Sequence, residues 1–175
     1  LKLDENDETN LSSPTLDDSA WESVTVPHDW AVGHDFKEEY DITYRNILAD
    51  GINKPIKHSG RTGGLPTVGI GWYRLSLDIP ESARGKILEL IFDGVMWECE
   101  VYLNGRLVGK NHFGYLSFSV DVSNAVVCGG KNLLAVKAVL KRGCSRWYPG
   151  AGIYRNLYLV AKSPDSVAYC GIKTQ

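Results

Sequence analysis

What most limits the folds open to this sequence is a rhythm that begins near Gly71. From there onward, short period-two segments alternate with turn residues about every ten positions, the pattern of antiparallel strands packed as a sandwich or barrel. Tyr73, Leu75, Leu77 and Ile79 share one face of the first segment, which stops at Pro80. Leu88, Leu90 and Phe92 share a face of the next, closed by Asp93-Gly94. Val95, Trp97, Cys99, Val101 and Leu103 then alternate against Met96, Glu98, Glu100 and Tyr102 as far as Asn104-Gly105. A tight primed turn needs positive φ at both central residues, and Asn-Gly tolerates it, so a hairpin is predicted there. Leu107 and Val108 lie on the return strand. Leu116 to Val122, Leu134 to Leu140, Ile153 to Ala161 and Val167 to Ile172 continue the series. With no long amphipathic helix in sight, the expected fold is all-β: an antiparallel β-sandwich of two packed sheets.

Upstream of that rhythm the signals change. Residues 1–20 are acidic and polar without sustained periodicity, which predicts an extended arm with a turn at Ser13-Pro14, followed by a single sandwich domain over 21–175. Trp21 to Val26 alternates and halts at Pro27, the mark of a short strand with Trp21, Val24 and Val26 toward the core. From Asp29 to Gly71 the pattern dissolves into Gly, Asp, Asn and Lys. Long irregular excursions inside compact domains tend to be functional or disordered, and Trp30, Phe36, Tyr40 and Tyr44 favour an ordered loop.

Charge and length exclude several classes. With 19 Lys and Arg scattered singly against 21 Asp and Glu, the chain has no electrostatic footprint for nucleic acid or an anionic membrane surface. No apolar run approaches the roughly 18 residues of a membrane span. At 175 residues the chain buries enough surface to need no metal or disulfide staple. Cys99, Cys128, Cys144 and Cys170 are far apart and form no C-x-x-C pair, so they read as free thiols rather than zinc ligands.

Candidate chemistry is sparse. Glu98 and Glu100 fall on one strand face about 7 Å apart, a separation at which two carboxyls could work on a glycoside; the plainer reading is a solvated outer face. His28-Asp29 and His34-Asp35 pair imidazole with carboxylate, but no third ligand has motif spacing, and such loop residues more often anchor their own backbone. The Gly-rich run from Gly60 to Gly71 lacks the strand-to-helix context of a phosphate cradle. The most informative segment runs from Ser145 through Arg146, Trp147, Tyr148, Pro149, Gly150, Ala151 and Gly152 to Arg155. An Arg beside two aromatics, with glycines that admit close backbone approach, suits a sugar: rings for its apolar face, a donor fork for hydroxyls or a carboxylate. The same residues could equally plug the end of the sandwich, with Arg155 paired inside it.

SRWYPGAGIYRNLYL resembles the signature near the end of the N-terminal domain of glycoside hydrolase family 2, the family of beta-galactosidases, beta-glucuronidases and beta-mannosidases. DDSAWESVTVPHDW at Asp17 to Trp30, GIGWYR at Gly69 to Arg74, and FDGVMWECEVYLNGRLVGKNHFGYLSFSVDVS at Phe92 to Ser123 match in the family's order. The resemblance implies a jelly-roll or galactose-binding-like β-sandwich that leads a multidomain enzyme, followed by an immunoglobulin-like domain and a TIM barrel. The family's two catalytic glutamates belong to that barrel, the first following an Asn. This chain has no Asn-Glu dipeptide and cannot hold a barrel of roughly 250 residues.

The implied role is therefore non-catalytic, with no cofactor or metal of its own: carbohydrate binding at the rim of a parent glycosidase that cleaves a terminal β-linked sugar with retention. Loops of this domain reach the terminal-sugar subsite in several family members. Arg146 is the candidate contact, with Trp147 and Tyr148 in support and the 29–71 excursion as a second wall. The large bacterial beta-galactosidases carry an acidic residue where Arg146 stands, which argues against a sodium site here; an Arg also suits a sugar carboxylate, so a beta-glucuronidase parent stays open. The competing expectations are a free-standing carbohydrate-binding module and a purely structural support for the parent or its oligomer.

Overall fold

In the computed structural model the described residues are 1–4, 10–58, 66–141 and 147–174. They form ten strands: β1 (Lys2–Asp4), β2 (Thr43–Ala49), β3 (Ile52–His58), β4 (Gly69–Ile79), β5 (Ile87–Phe92), β6 (Glu98–Leu103), β7 (Arg106–Asn111), β8 (Phe118–Asp121), β9 (Gly130–Leu140) and β10 (Leu157–Lys162). Among the described residues helix is confined to 3-10 turns at Glu38–Asp41 and Glu81–Ala83. One sheet has the order β1-β4-β9-β6-β7 and a second the order β10-β5-β8, while among the described residues β2 and β3 pair only with each other. All pairings are antiparallel.

The two larger sheets face each other across a core that the alternation foretells. Leu88, Leu90 and Phe92 of β5, Cys99, Val101 and Leu103 of β6, and Leu134, Val136, Ala138 and Leu140 of β9 are all buried. Burial pushes the Cys99 thiol up to about 12. Asn104-Gly105 closes the β6–β7 hairpin with φ of 52° and 79°, the positive pair that this dipeptide accommodates. Asn104 does more than turn the chain. Its Oδ1 accepts the Leu133 N–H at 2.9 Å, and its Nδ2 donates to Ala125 O and to Oδ1 of the buried Asn132.

Three expectations change. Trp21 to Val26 joins no ladder, because the chain crosses the sheet edge there: Trp21 packs on the outer face, while Val24 and Val26 pack on the inner core. A segment wrapping an edge cannot also run along it. The alternation of 167–172 leads to no strand either; Val167 and Ile172 are exposed, for they meet no sheet face against which to be buried. Conversely, the 29–71 excursion is not irregular throughout, since β2 and β3 form a hairpin within it. Asp50-Gly51, with φ of 53° and 76°, makes the two-residue turn.

Within the stretch 1–20, expected as an extended arm, Lys2–Asp4 form edge strand β1 and residues 10–20 cover the outer face of the large sheet. Leu11 is buried with Ile70, Trp72 and Ala135, and Leu16 N–H donates to Ser13 O across the anticipated turn at Pro14. Arg74 fastens this cover. Its side chain, 3% exposed, donates from Nε to Asp18 Oδ2 at 2.7 Å and from Nη1 to the carbonyls of Leu11 (2.7 Å) and Ser13 (2.9 Å). Nη2 reaches Leu16 O at 3.3 Å, and the guanidinium lies 5.5 Å from the Trp21 ring centroid. Arg74→Ala should therefore cost about 2–4 kcal/mol, from stranded carbonyls and a broken buried charge contact. Urea unfolding measures the loss, and an acidic-residue-specific protease should then cut within 10–22 well before the sandwich. Wild-type resistance would mean that apolar packing alone holds the cover.

Candidate functional site

The loops that matter gather at one end of the sandwich. Gly69 pairs with Leu140, Glu98 with Val139 and Cys99 with Asn111, so the start of β4, the end of β9, the start of β6 and the end of β7 lie together. In the other sheet Phe92 pairs with Leu157 and Phe118, bringing the end of β5 to the starts of β10 and β8.

At the centre of this end sits Trp30, 2% exposed. It lies so close to Gly71 that a Cβ there would fall 2.6 Å from its Nε1. Gly152 also lies against the ring: a Cβ there would fall 2.7 Å from its Cδ1 and overlap the Tyr73 hydroxyl. Gly152 also has φ of 76°, a conformation that disfavours side chains. The indole nitrogen of Trp30 has no hydrogen-bond partner among the described residues, so the ring is held by shape. Around it, the Tyr73 hydroxyl meets His28 Nδ1 at 3.2 Å, His28 N–H donates to Ile153 O at 2.7 Å, and Met96 and Gly152 exchange both backbone bonds.

Asp29 links this centre to the aromatic segment. Its Oδ1 accepts the Tyr148 hydroxyl at 2.6 Å and the Ala31 N–H at 3.1 Å. His28 and Asp29 are thus committed to fold contacts, while His34 donates its backbone N–H to Ala31 O in a turn. Among the described residues no three of His, Cys, Asp and Glu gather as a metal site. Glu98 pairs with Lys141 at 2.7 Å and Glu100 with Lys110 at 2.5 Å, as on a solvated outer face. The Lys110 bond, with a second from the Tyr102 hydroxyl, holds the Glu100 carboxyl below its usual range. Cys99, Cys128 and Cys170 are free thiols.

Of the sequence candidates, Arg146 lies outside the described residues, as do Cys144 and positions 60–65 of the Gly-rich run. Trp147 is 60% exposed and donates from Nε1 to the Tyr115 hydroxyl at 3.1 Å. Tyr148 is half-buried, its hydroxyl spent on Asp29. Arg155 is exposed rather than paired within the sandwich, resting 5.2 Å from the Tyr154 ring centroid and reaching Asp93 O at 3.5 Å. Residue-type reasoning did not nominate Tyr73, Phe113 or Tyr115. The available signal for the last two was the Phe113-Gly114-Tyr115 triplet, whose glycine permits close approach: a Cβ on Gly114 would overlap Met96 Sδ.

An antiparallel sandwich whose loop end is knit from aromatics and glycines, and whose two β6 glutamates are held in ion pairs, defines a β-sandwich domain with its features concentrated at one end. The sequence model described as "Glycosyl hydrolases family 2, sugar binding domain" matches residues 7–173, and the chain belongs to that family. A beta-galactosidase of Bacteroides ovatus is 34% identical over 94% of the chain, and a putative beta-glucuronidase of Formosa agariphila 34% identical over 90%. The crystal structure of a beta-glycosidase from Bacteroides vulgatus superposes with a TM-score of 0.74 at 32% identity over 93% of the chain. A glycosyl hydrolase family 2 member from Bacteroides cellulosilyticus gives 0.74 at 29% identity over 87%. The chain spans only 18% and 14% of the two relatives, and 19% and 18% of the two structures. The family, the sandwich and the relation to glycoside hydrolases expected from the motifs are thereby established.

Burial raises both the Tyr73 and the Tyr148 hydroxyls above the ordinary tyrosine range, and the Asp29 carboxylate adds to the rise at Tyr148. The folded state therefore holds these protons more tightly than the unfolded chain. Their contribution is complete below a pH of about 10 and is lost above it. Urea midpoints measured across that range should fall with rising pH, and Tyr148→Phe should reduce the slope by about one proton. An unchanged slope would mean that Tyr148 titrates as a free phenol.

Proposed function

We propose that this chain is the non-catalytic, carbohydrate-facing domain of a longer family 2 glycosidase. The parent would cleave a terminal β-linked sugar with retention on carboxyls of another domain, and the loop end described above would form part of its substrate rim. The observation that carries this reading is the convergence of three family motifs on one end. Asp29 and Trp30, Gly71 and Tyr73, and Tyr148 and Gly152 come from separate stretches and meet there. Two further facts support it: the chain spans under a fifth of relatives named as glycosidases, and its described glutamates on β6 are occupied by lysines.

In this reading Arg146 supplies a charged donor fork to the sugar, Trp147 offers a ring beside it, and Tyr148 braces the segment through Asp29. A galactoside is the leading substrate, with a glucuronide next: relatives carry both names, and an Arg can pair a sugar carboxylate bidentately. The implied partners are the carbohydrate and the immunoglobulin-like and TIM-barrel domains of the parent. Arg146→Ala in the full-length enzyme should lower kcat/KM on an aryl β-galactoside or β-glucuronide by about tenfold or more, a loss typical of a charge-assisted contact, with the fold intact by circular dichroism. Undiminished kcat/KM on both substrates would favour a purely structural domain.

A further inference from the structure

The loop between β7 and β8 carries aromatic side chains into solvent while its base is fixed. Phe113 is 48% exposed and Trp147 60% exposed, and both meet the half-buried Tyr115. Phe113 lies edge-on to Tyr115 at 5.8 Å between centroids, Trp147 donates its indole N–H to the Tyr115 hydroxyl, and Trp97 supports Tyr115 from behind at 6.1 Å. Four side-chain contacts immobilise the loop. Tyr154 donates to Gly114 O at 2.9 Å, Asn111 to Phe113 O at 2.8 Å and Ser117 to Asp93 O at 3.2 Å, while Gly114 sits against Met96.

Rigid aromatics exposed together pay in advance the ordering cost of binding. The indole N–H is spent on the Tyr115 hydroxyl, so Phe113 and Trp147 turn ring surface to solvent, and the Tyr115 O–H keeps its own proton to donate beside them. Aliphatic exposure elsewhere, as at Leu107 or Val127, has no such array. A ring surface of this kind matches the C–H patch of an equatorially substituted pyranose, and the family to which the chain belongs is described as sugar binding.

We propose that Phe113, Tyr115 and Trp147 form a stacking ledge for a pyranose unit of a β-linked oligosaccharide, additional to the terminal-sugar contact assigned to Arg146. This rests on the carbohydrate-facing reading above and extends it from a terminal sugar to a longer chain.

The test is an NMR titration of the isotope-labelled 175-residue chain with methyl β-galactoside, a β-1,4-linked glucose trisaccharide and a β-1,4-linked galactose trisaccharide, following the Trp147 indole and Tyr115 amide signals. At least one trisaccharide should shift both signals saturably in the millimolar range. Phe113→Ala should weaken that binding by about tenfold, the scale of one lost aromatic contact. Phe113→Leu, which keeps apolar bulk without a ring, should weaken it similarly, whereas Trp147→Phe should largely retain it. Signals that stay still with every sugar, or shifts that persist undiminished in both Phe113 variants, would overturn the ledge. If the ledge fails while Arg146→Ala still slows the full-length enzyme, the rim reading stands without it; if both fail, the rim reading falls too.

Discussion

The loop end depends on the seating of one ring. Trp30 fits against Gly71 and Gly152 only because neither carries a side chain. Burying a tryptophan removes about 150–250 Å² from water, worth about 4–6 kcal/mol at about 25 cal/mol per Å². Seated there, the ring brings residues 28–31 onto the start of β4 and under the 147–156 segment. The backbone bond from His28 to Ile153 and the side-chain bond from Tyr148 to Asp29 then become possible. A polar bond between residues 119 positions apart is stable because packing has already closed the distance. This explains why the motifs have the residues they do: in Gly-Trp-Tyr-Arg at 71–74, the glycine admits Trp30, Trp72 faces the outer cover, Tyr73 faces the centre and Arg74 clamps the cover.

The unequal sheets shape the rest. Five strands against three leave the β4 side of the large sheet incompletely covered by its partner. The 22–26 segment fills part of that opening, and a cleft of about 390 Å³ remains between it, Tyr73, Leu75 and Leu157. Leu75, which shares its strand face with Tyr73, is accordingly 53% exposed. The outer face of the same sheet would present Ile70, Trp72 and Ala135 to water without Leu11, Leu16 and Trp21 packed against it. Arg74 satisfies three carbonyls of that covering segment, which has no ladder of its own there.

Strands whose two faces differ in burial were legible in the sequence, because a half-buried strand writes its environment into alternation. That is why β5, β6 and β9 read correctly, and why the Asn104-Gly105 turn did. Alternation failed where its premise failed: Trp21 to Val26 divides its side chains between two clusters across a sheet edge, and 167–172 has no face to meet. The β2–β3 hairpin was hidden for the opposite reason. Among the described residues it pairs with no other strand, and Ile47, Leu48 and Ile52 around its turn are exposed, so their alternation records no buried face; Asp50-Gly51 marked it. At the loop end, motifs identified the segments but not their contacts. Nothing local in His28-Asp29 distinguishes a backbone anchor from a brace for Tyr148, since that depends on which distant ring arrives.

The central claim is that the motif segments are energetically coupled at the loop end rather than merely adjacent. A double-mutant cycle on Asp29→Ala and Tyr148→Phe, read by urea unfolding of the chain, tests it most directly. Coupling of about 1–3 kcal/mol is the predicted result, as for hydrogen-bonded partners in one network. Single-variant losses that add to within about 0.5 kcal/mol would show the two segments to be independent and contradict the account.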